Sequence, residues 1–217
     1  MMNTNIKTVI ILFLLTLGTA GLLAQNAGFG IKGGINLANM SIDDANDKNI
    51  RPGFYFGVMA NLPLTMQFAV QPELLYSTRG VEMNYDEDFL GIDIADGETD
   101  FKLTYLDIPL YLVFNLSEDF HFYFGPYVGF LLDAKVDTKA EVLEFIEIND
   151  SNDLDRDHFK STEIGLSAGL GFEFGSFITG FNYSHGLTQV AKDDDPSEAL
   201  LGDAKNNMIQ VFVGFLF

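Results

Sequence analysis

The sequence contains no cysteine and few basic residues, and both shortages exclude classes of protein. Without cysteine the chain has neither a disulfide framework nor a thiolate metal site. Its 12 Lys and Arg stand against 31 Asp and Glu, and the formal net charge of -19 excludes nucleic acid as a partner, because a nucleic-acid binder needs a basic face. Tryptophan is also absent, so the aromatic side chains are 21 Phe and 8 Tyr, which we expect in packing and lipid contact.

The amino-terminal apolar run is too short for a membrane-spanning helix. Lys7 precedes an uninterrupted apolar run at 9–15 that continues into small residues. This layout predicts a secretory signal peptide, since a spanning helix needs about 20 apolar residues. We predict cleavage after Ala24, which gives a signal peptide at 1–24 and one domain at 25–217. Cleavage after Ala20 and an uncleaved anchor helix are the alternatives.

The carboxyl-terminal segment alternates in hydrophobicity with a period of two. Ile209, Val211, Val213, Phe215 and Phe217 share one face of the predicted strand. A strand that ends on an aromatic carboxyl terminus is what outer-membrane barrels present for assembly. We therefore interpret Phe215 and Phe217 as an assembly signal for the barrel-assembly machinery.

The rest of the chain repeats this alternation between turns and acidic stretches. Eight strand-like segments are predicted, at 28–38, 53–61, 66–80, 101–114, 120–132, 163–174, 177–190 and 206–217. Their connections alternate in length, and the long ones, at 39–52, 81–100, 133–162 and 191–205, carry most of the acidic residues. The pattern predicts an all-β fold, an eight-stranded antiparallel transmembrane β-barrel with four long acidic extracellular loops and short periplasmic turns.

A soluble, lipocalin-like ligand-binding barrel has the same periodicity with its faces reversed. Here one face of the segments is rich in Gly, Ser, Asn and Tyr, which would make a poor dry core. The other face consists of Phe, Leu, Ile and Val without Lys or Glu, which would be insoluble in water. We therefore predict the outer membrane as the location, after export and signal-peptide cleavage, and its lipid as the partner of the apolar face.

The polar face places five ionisable residues toward the predicted lumen, namely Lys32, Glu73, Arg79, Asp107 and Glu173. Eight strands leave little more than side-chain room, so these groups should pair with one another or keep water. We interpret them as an ionic network that plugs the barrel. A narrow path for ions or protons is the functional alternative.

Metal and catalytic motifs are weak. Asp153, Asp155 and Asp157 have the spacing that starts a calcium loop, but the expected glycine is His158 and the twelfth position is Ile164 rather than Glu, so a solvated, repelling surface loop is the simpler interpretation. His121, His158 and His185 lie on different segments without partners at metal spacing, which disfavours zinc. Ser184-His185 has no acid placed to orient the imidazole and no serine elbow. We expect no enzyme activity, no catalytic residue and no cofactor.

Several stretches resemble a known family. Residues 71–77 (QPELLYS), 105–110 (YLDIPL), 125–127 (GPY), 169–173 (GLGFE) and 183–188 (YSHGLT) look like the PorT-type outer-membrane β-barrel family of Bacteroidetes. The resemblance spans essentially the whole mature chain. It implies an eight-stranded barrel that is delivered after signal removal, with Phe217 in the terminal assembly signal.

Three classes of function remain open. The first is a structural or interaction barrel whose loops meet a partner or bind bridging cations. The second, which the resemblance implies, is a component of a PorT-type protein secretion apparatus. The third is a narrow ion or proton channel.

Overall fold

The computed structural model describes residues 27–41, 48–49, 51–89, 92–142, 146–152, 159–191 and 204–217. Strands make up most of these ranges, as the two-residue alternation of the sequence predicts. Ten strands are formed: β1 (Gly28–Ser41), β2 (Lys48–Asn49), β3 (Arg51–Pro63), β4 (Phe68–Phe89), β5 (Ile92–Asn115), β6 (Phe120–Val142), β7 (Ile146–Asn152), β8 (Thr162–Phe174), β9 (Phe177–Gly186) and β10 (Lys205–Leu216). Within the same ranges, no helix is long and apolar enough to cross a membrane.

Eight of the ten strands close into a ring in which every neighbouring pair is antiparallel. The order around the ring is β1, β3, β4, β5, β6, β8, β9 and β10. The last strand then pairs with the first, from Gly30 opposite Leu216 to Ser41 opposite Lys205. Closure satisfies the backbone groups of what would otherwise be two open edges, as a sheet surrounded by lipid requires. The predicted eight-stranded antiparallel barrel is confirmed.

The two faces of the wall differ in the direction predicted for a membrane barrel. Leu110 and Phe124 are 49% and 46% exposed on the outer face, whereas their sequence neighbours Tyr111 and Tyr123 are 2% and 4% exposed on the inner face. The soluble, lipocalin-like alternative is therefore wrong, because it requires the apolar face inside. Other exposed apolar side chains of the wall include Phe29, Ile31, Ile35, Phe54, Val58, Phe181, Val211 and Val213.

Three short turns and the carboxyl terminus lie at one end of the barrel, which we call the turn end; the opposite end is the loop end. The turns join β3 to β4, β5 to β6 and β8 to β9. The last of them consists of only two residues, and Gly175 adopts a φ of 63° there, which glycine tolerates without strain. At the same end, the backbone N–H of Phe217 donates to the carbonyl of Phe29 at 2.8 Å.

Two of the predicted long loops are largely strand, which corrects the predicted boundaries. Strands β4 and β5 continue as a hairpin to Phe89 and Ile92, across most of the stretch 81–100. Strand β6 continues to Val142 and pairs there with β7, which lies within the stretch 133–162. Conversely, β9 ends at Gly186 rather than at Val190. The extensions lie beyond the closed ring, so they do not need the alternation of apolar and polar residues that the wall requires.

Candidate functional site: the barrel interior

Strand alternation brings polar side chains from all parts of the ring into the lumen. Of the five predicted lumen residues, Lys32 lies on β1, Glu73 and Arg79 on β4, Asp107 on β5 and Glu173 on β8. The first four are at most 5% exposed. They form two separate ion pairs at different depths, and Glu173 belongs to neither.

The ion pair nearer the turn end joins β1 to β4. The ammonium of Lys32 donates to both carboxylate oxygens of Glu73, at 2.9 and 3.1 Å. The amide of Gln71 also donates to Glu73, at 2.7 Å. The Lys32 Nζ atom lies 4.2 Å from the centre of the Phe212 ring, a cation–π contact. Because every partner is buried, this pair is isolated from water.

Nearer the loop end, Arg79 lies between two carboxylates. Its Nη2 atom is 2.5 Å from Asp107 Oδ1, and its Nη1 atom is 3.4 Å from Glu163 Oε1. The guanidinium stacks on Tyr105, with 3.9 Å between Cζ and the ring centre. Glu163 also accepts a hydrogen bond from the Tyr127 hydroxyl at 2.6 Å. This Arg79 cluster therefore holds one cation, two anions and two tyrosines in a buried site.

Glu163 was not among the predicted lumen residues. It lies at the boundary between the acidic stretch 133–162 and the next predicted segment, so its charge was attributed to the loops. Its position in the two-residue alternation of β8 could have identified it, because it shares the inward face with Gly165, Ser167 and Gly169. The amide of Asn206 on β10 also donates to Glu163. This carboxylate on β8 therefore contacts side chains of β4, β6 and β10.

A belt of neutral hydrogen bonds crosses the lumen between the two ion pairs. The Asn36 amide donates to Ser77 Oγ at 2.9 Å, and Gln210 donates to Asn36 Oδ1 at 2.9 Å. On the other side, the Ser184 hydroxyl donates to Gln210 Oε1 at 3.2 Å, and its oxygen lies 2.9 Å from Ser167 Oγ, within hydrogen-bond distance. These bonds connect β1 and β4 with β8, β9 and β10, so side chains span the lumen at this level.

Apolar side chains close the lumen above the Arg79 cluster. Tyr105 pairs with Leu131 but Thr104 pairs with Asp133, so Leu132 is the extra residue of a β-bulge. The bulge allows Leu131 and Ala134 both to be buried in the interior. They belong to an apolar plug whose buried members are Leu103, Tyr105, Leu131, Ala134, Phe159, Val190, Ala191 and Ala204.

Glycine makes room for these large groups. A Cβ atom on Gly129 would lie 2.6 Å from Asp107 Oδ1 and 2.8 Å from Arg79 Nη2. A Cβ atom on Gly165 would collide with the Tyr127 ring. The glycine-rich inner face of the sequence is therefore part of the plug, because it provides the volume that the charged and aromatic side chains fill.

The turn end is open by comparison. A recess of about 510 Å³ is lined there by residues of the turns and strand ends, including Asn115, Glu118, His121 and Glu173. Glu173 lies in this recess, with its Oε2 atom 3.2 Å from His121 Nε2, and not in the ionic network predicted for it. Strand phase fixes the face of a residue but not its depth, and Glu173 is one residue from the end of β8.

Several predicted features lie outside the described residues, and the structure assigns them no geometry. These are the signal peptide with its cleavage site and the calcium-loop candidates Asp153, Asp155 and Asp157. Among the described residues, no group of three or more His, Asp or Glu is placed to hold a metal ion. The assembly-signal residues Phe215 and Phe217 are described, and their rings lie 5.4 Å apart at the turn end.

The comparison with protein families agrees with this architecture. A family model described as "Outer membrane protein beta-barrel domain" matches residues 23–192, well over half of the chain. The chain belongs to the outer membrane protein β-barrel family. Family membership therefore places this barrel in the outer membrane, which agrees with the apolar outer face of its wall. No curated protein matches the sequence.

Three solved structures that are similar to this outer-membrane barrel are distant from it in sequence. Ail, the attachment invasion locus protein of Yersinia pestis, is 15% identical, with 89% of this chain and 100% of that chain covered and a TM-score of 0.47. Neisserial surface protein A is 12% identical over the same shares, with a TM-score of 0.48. OprG from Pseudomonas aeruginosa is 17% identical, with 89% and 97% covered and a TM-score of 0.36. These likenesses concern the fold alone.

Proposed function

We propose that this protein is a sealed outer-membrane barrel with a structural or interaction role, without enzyme activity or cofactor. The filled lumen carries the proposal. Two ion pairs, the neutral belt and the apolar plug occupy successive levels of the interior, and each level is joined by contacts between strands. A side-chain-filled lumen gives a rigid wall and leaves interaction to the surfaces beyond the membrane.

The route to the membrane is part of the same proposal. Export depends on a signal peptide at 1–24 that is cleaved after Ala24. The barrel-assembly machinery then recognises the last strand, with Phe215 and Phe217 as its signal. The support for this step is that β10 pairs with β1 to close the ring and that Phe215 and Phe217 lie at its end.

Interaction is proposed for the loop end, which we place outside the cell. The β4–β5 hairpin and the β6–β7 pair extend past the ring there, and their sequences are acidic. A basic partner or bridging divalent cations would complement this charge. A variant that lacks residues 86–95 should still fold but should fail to complement a deletion strain. Full complementation by this variant would contradict an interaction role for the hairpin.

The second candidate is a component of a PorT-type secretion apparatus of Bacteroidetes, which the resembling motifs favour. Their side chains include Gln71 and Glu73, Tyr105 and Asp107, and Tyr127, all buried in the lumen. These five residues pack inside the barrel, so they support the family's barrel architecture more directly than its secretion role. Accumulation of secreted cargo in the periplasm of a deletion strain would support this candidate against the purely structural one.

Planar-bilayer recordings test the sealed barrel directly. The refolded protein should show no conductance steps under conditions in which a general porin, reconstituted in the same way, conducts. Conductance that changes in Glu73→Ala or Asp107→Ala would contradict the proposal and favour the narrow channel, because both carboxylates lie in the lumen.

A further inference from the structure

His121 is held at the turn end in one orientation and one tautomer. The His121 side chain is 9% exposed, and its Nδ1 atom lies 2.9 Å from Asn115 Oδ1. The amide nitrogen of Asn115 donates to the carbonyl of Met66 at 3.1 Å. The reverse amide orientation would place two oxygens face to face, so Asn115 presents an acceptor to His121. Nδ1 therefore carries the hydrogen of the neutral imidazole.

The other ring nitrogen then presents a lone pair to a carboxylate. His121 Nε2 is buried, makes no hydrogen bond and lies 3.2 Å from Glu173 Oε2. Two acceptors at this distance repel each other unless a positive species lies between them. The candidates are a second proton on the ring or a metal ion.

The geometry fits a metal ion. Zinc binds imidazole nitrogen and carboxylate oxygen at about 2.0–2.2 Å, so two such atoms at a tetrahedral angle lie about 3.3–3.6 Å apart, slightly more than the 3.2 Å between His121 Nε2 and Glu173 Oε2. An Nδ1–H bonded to an amide oxygen is also the usual support of a metal-binding histidine, because it fixes the ring and leaves Nε2 free. The adjoining recess has room for water ligands, and Glu118 lines the same recess.

We propose that His121 Nε2 and the Glu173 carboxylate bind a divalent transition-metal ion, with Zn²⁺ as the reference metal. Imidazole combined with carboxylate suits Zn²⁺ and Cu²⁺, whereas Mg²⁺ and Ca²⁺ prefer oxygen ligands alone. Water from the recess completes the coordination of these two protein ligands. The site lies on the turn side and is independent of the role proposed for the loop end.

Calorimetric titration of the purified, refolded chain with Zn²⁺ tests this site. The reference protein is the His158→Ala variant, so that the histidine of the acidic stretch cannot bind Zn²⁺. Millimolar Mg²⁺ is added to occupy the acidic loops. We expect one Zn²⁺ per chain, with at least tenfold weaker binding in His121→Ala and in Glu173→Gln. The matched control is His185→Ala, because His185 is bonded to Asn207 on another part of the wall; it should bind as the reference does.

Heat-modifiable migration on a gel shows which variants are folded. For a variant that does not fold, the Cu²⁺-loaded reference protein supplies a second measurement. Its electron paramagnetic resonance spectrum should show coupling to a single imidazole nitrogen. The proposal is overturned if the reference protein binds no Zn²⁺, if folded His121→Ala or folded Glu173→Gln binds it within threefold of the reference, or if the Cu²⁺ spectrum shows no nitrogen coupling.

Discussion

The two ends of the barrel interior are built from the same alternating strands but differ in how their charges are exposed. In the Arg79 cluster, Arg79 and both of its carboxylate partners are buried beneath the apolar plug. At the turn end, the Glu173 side chain is 31% exposed and faces an open recess. Depth therefore decides whether an inward-facing charge becomes part of a plug or part of a site that solvent and ions reach.

Removal of the Arg79 charge should give the largest effect. Arg79→Met leaves Asp107 and Glu163 buried without their cation, and we expect a loss of about 3–5 kcal/mol in unfolding free energy. Urea unfolding in lipid vesicles, followed by gel mobility, measures this. Glu173→Gln at the turn end should cost less than about 1 kcal/mol, since the Glu173 carboxylate is partly exposed to solvent. Similar losses in the two variants would remove the distinction between the ends.

The Lys32–Glu73 pair provides an intermediate case. Lys32→Met should cost about 3 kcal/mol, because it leaves the buried Glu73 carboxylate with only Gln71 as a donor. Addition of Glu73→Gln should recover most of the loss, since the double variant buries no charge. The same unfolding assay on both single variants and the double variant gives the coupling. Additive losses would show that the two residues do not act as a pair.

An added methyl group should destabilise the protein near the Arg79 cluster but not at the turn end. Gly129→Ala introduces a methyl group against Asp107 and Arg79, and we expect a cost of about 1–3 kcal/mol. Gly28→Ala is the matched control, because its nearest neighbour would be 3.8 Å away; it should change stability by less than about 0.5 kcal/mol. Equal stability of the two variants would mean that the Arg79 cluster has room to relax.

Two buried tyrosine hydroxyls give the comparison with the smallest expected change in stability. Tyr127→Phe removes the hydrogen bond to Glu163 and should cost about 1.5–2 kcal/mol. The hydroxyl of Tyr55 is buried without a partner, so Tyr55→Phe should be neutral or slightly stabilising. A greater loss in Tyr55→Phe than in Tyr127→Phe would contradict the assigned hydrogen bonds.

The sequence predicted the parts of the structure that depend on alternation. Eight wall strands, their antiparallel closure and the faces of Lys32, Glu73, Arg79 and Asp107 all follow from a period of two between short turns. Glu163 was missed because it lies at a segment boundary and its charge was attributed to the adjoining acidic stretch, although its alternation with Gly165 and Ser167 indicated the inward face. Glu173 was predicted to join the ionic network but lies in the turn-end recess, because alternation gives the face of a residue and not its depth along the barrel.

The sequence could not predict the extensions of β4, β5 and β6. Beyond the wall, the alternation that marks a lipid-facing strand is no longer required, and residues such as Asp86 and Asp88 occur within a strand. Nor could it predict the contact between His121 and Glu173. That contact joins the adjacent strands β6 and β8 through their register, which places His121 opposite Gly171 and which the alternation of residues does not specify.

The most direct test of the central claim uses the absence of tryptophan from the chain. Phe56 is 56% exposed on the outer face, and Tyr55 beside it is 2% exposed in the lumen. Phe56→Trp and Tyr55→Trp, refolded in vesicles with brominated acyl chains, compare the two faces at one depth. We predict strong fluorescence quenching for Phe56→Trp and little for Tyr55→Trp. Equal quenching, or the reverse order, would contradict a wall with its apolar face in lipid and a sealed interior.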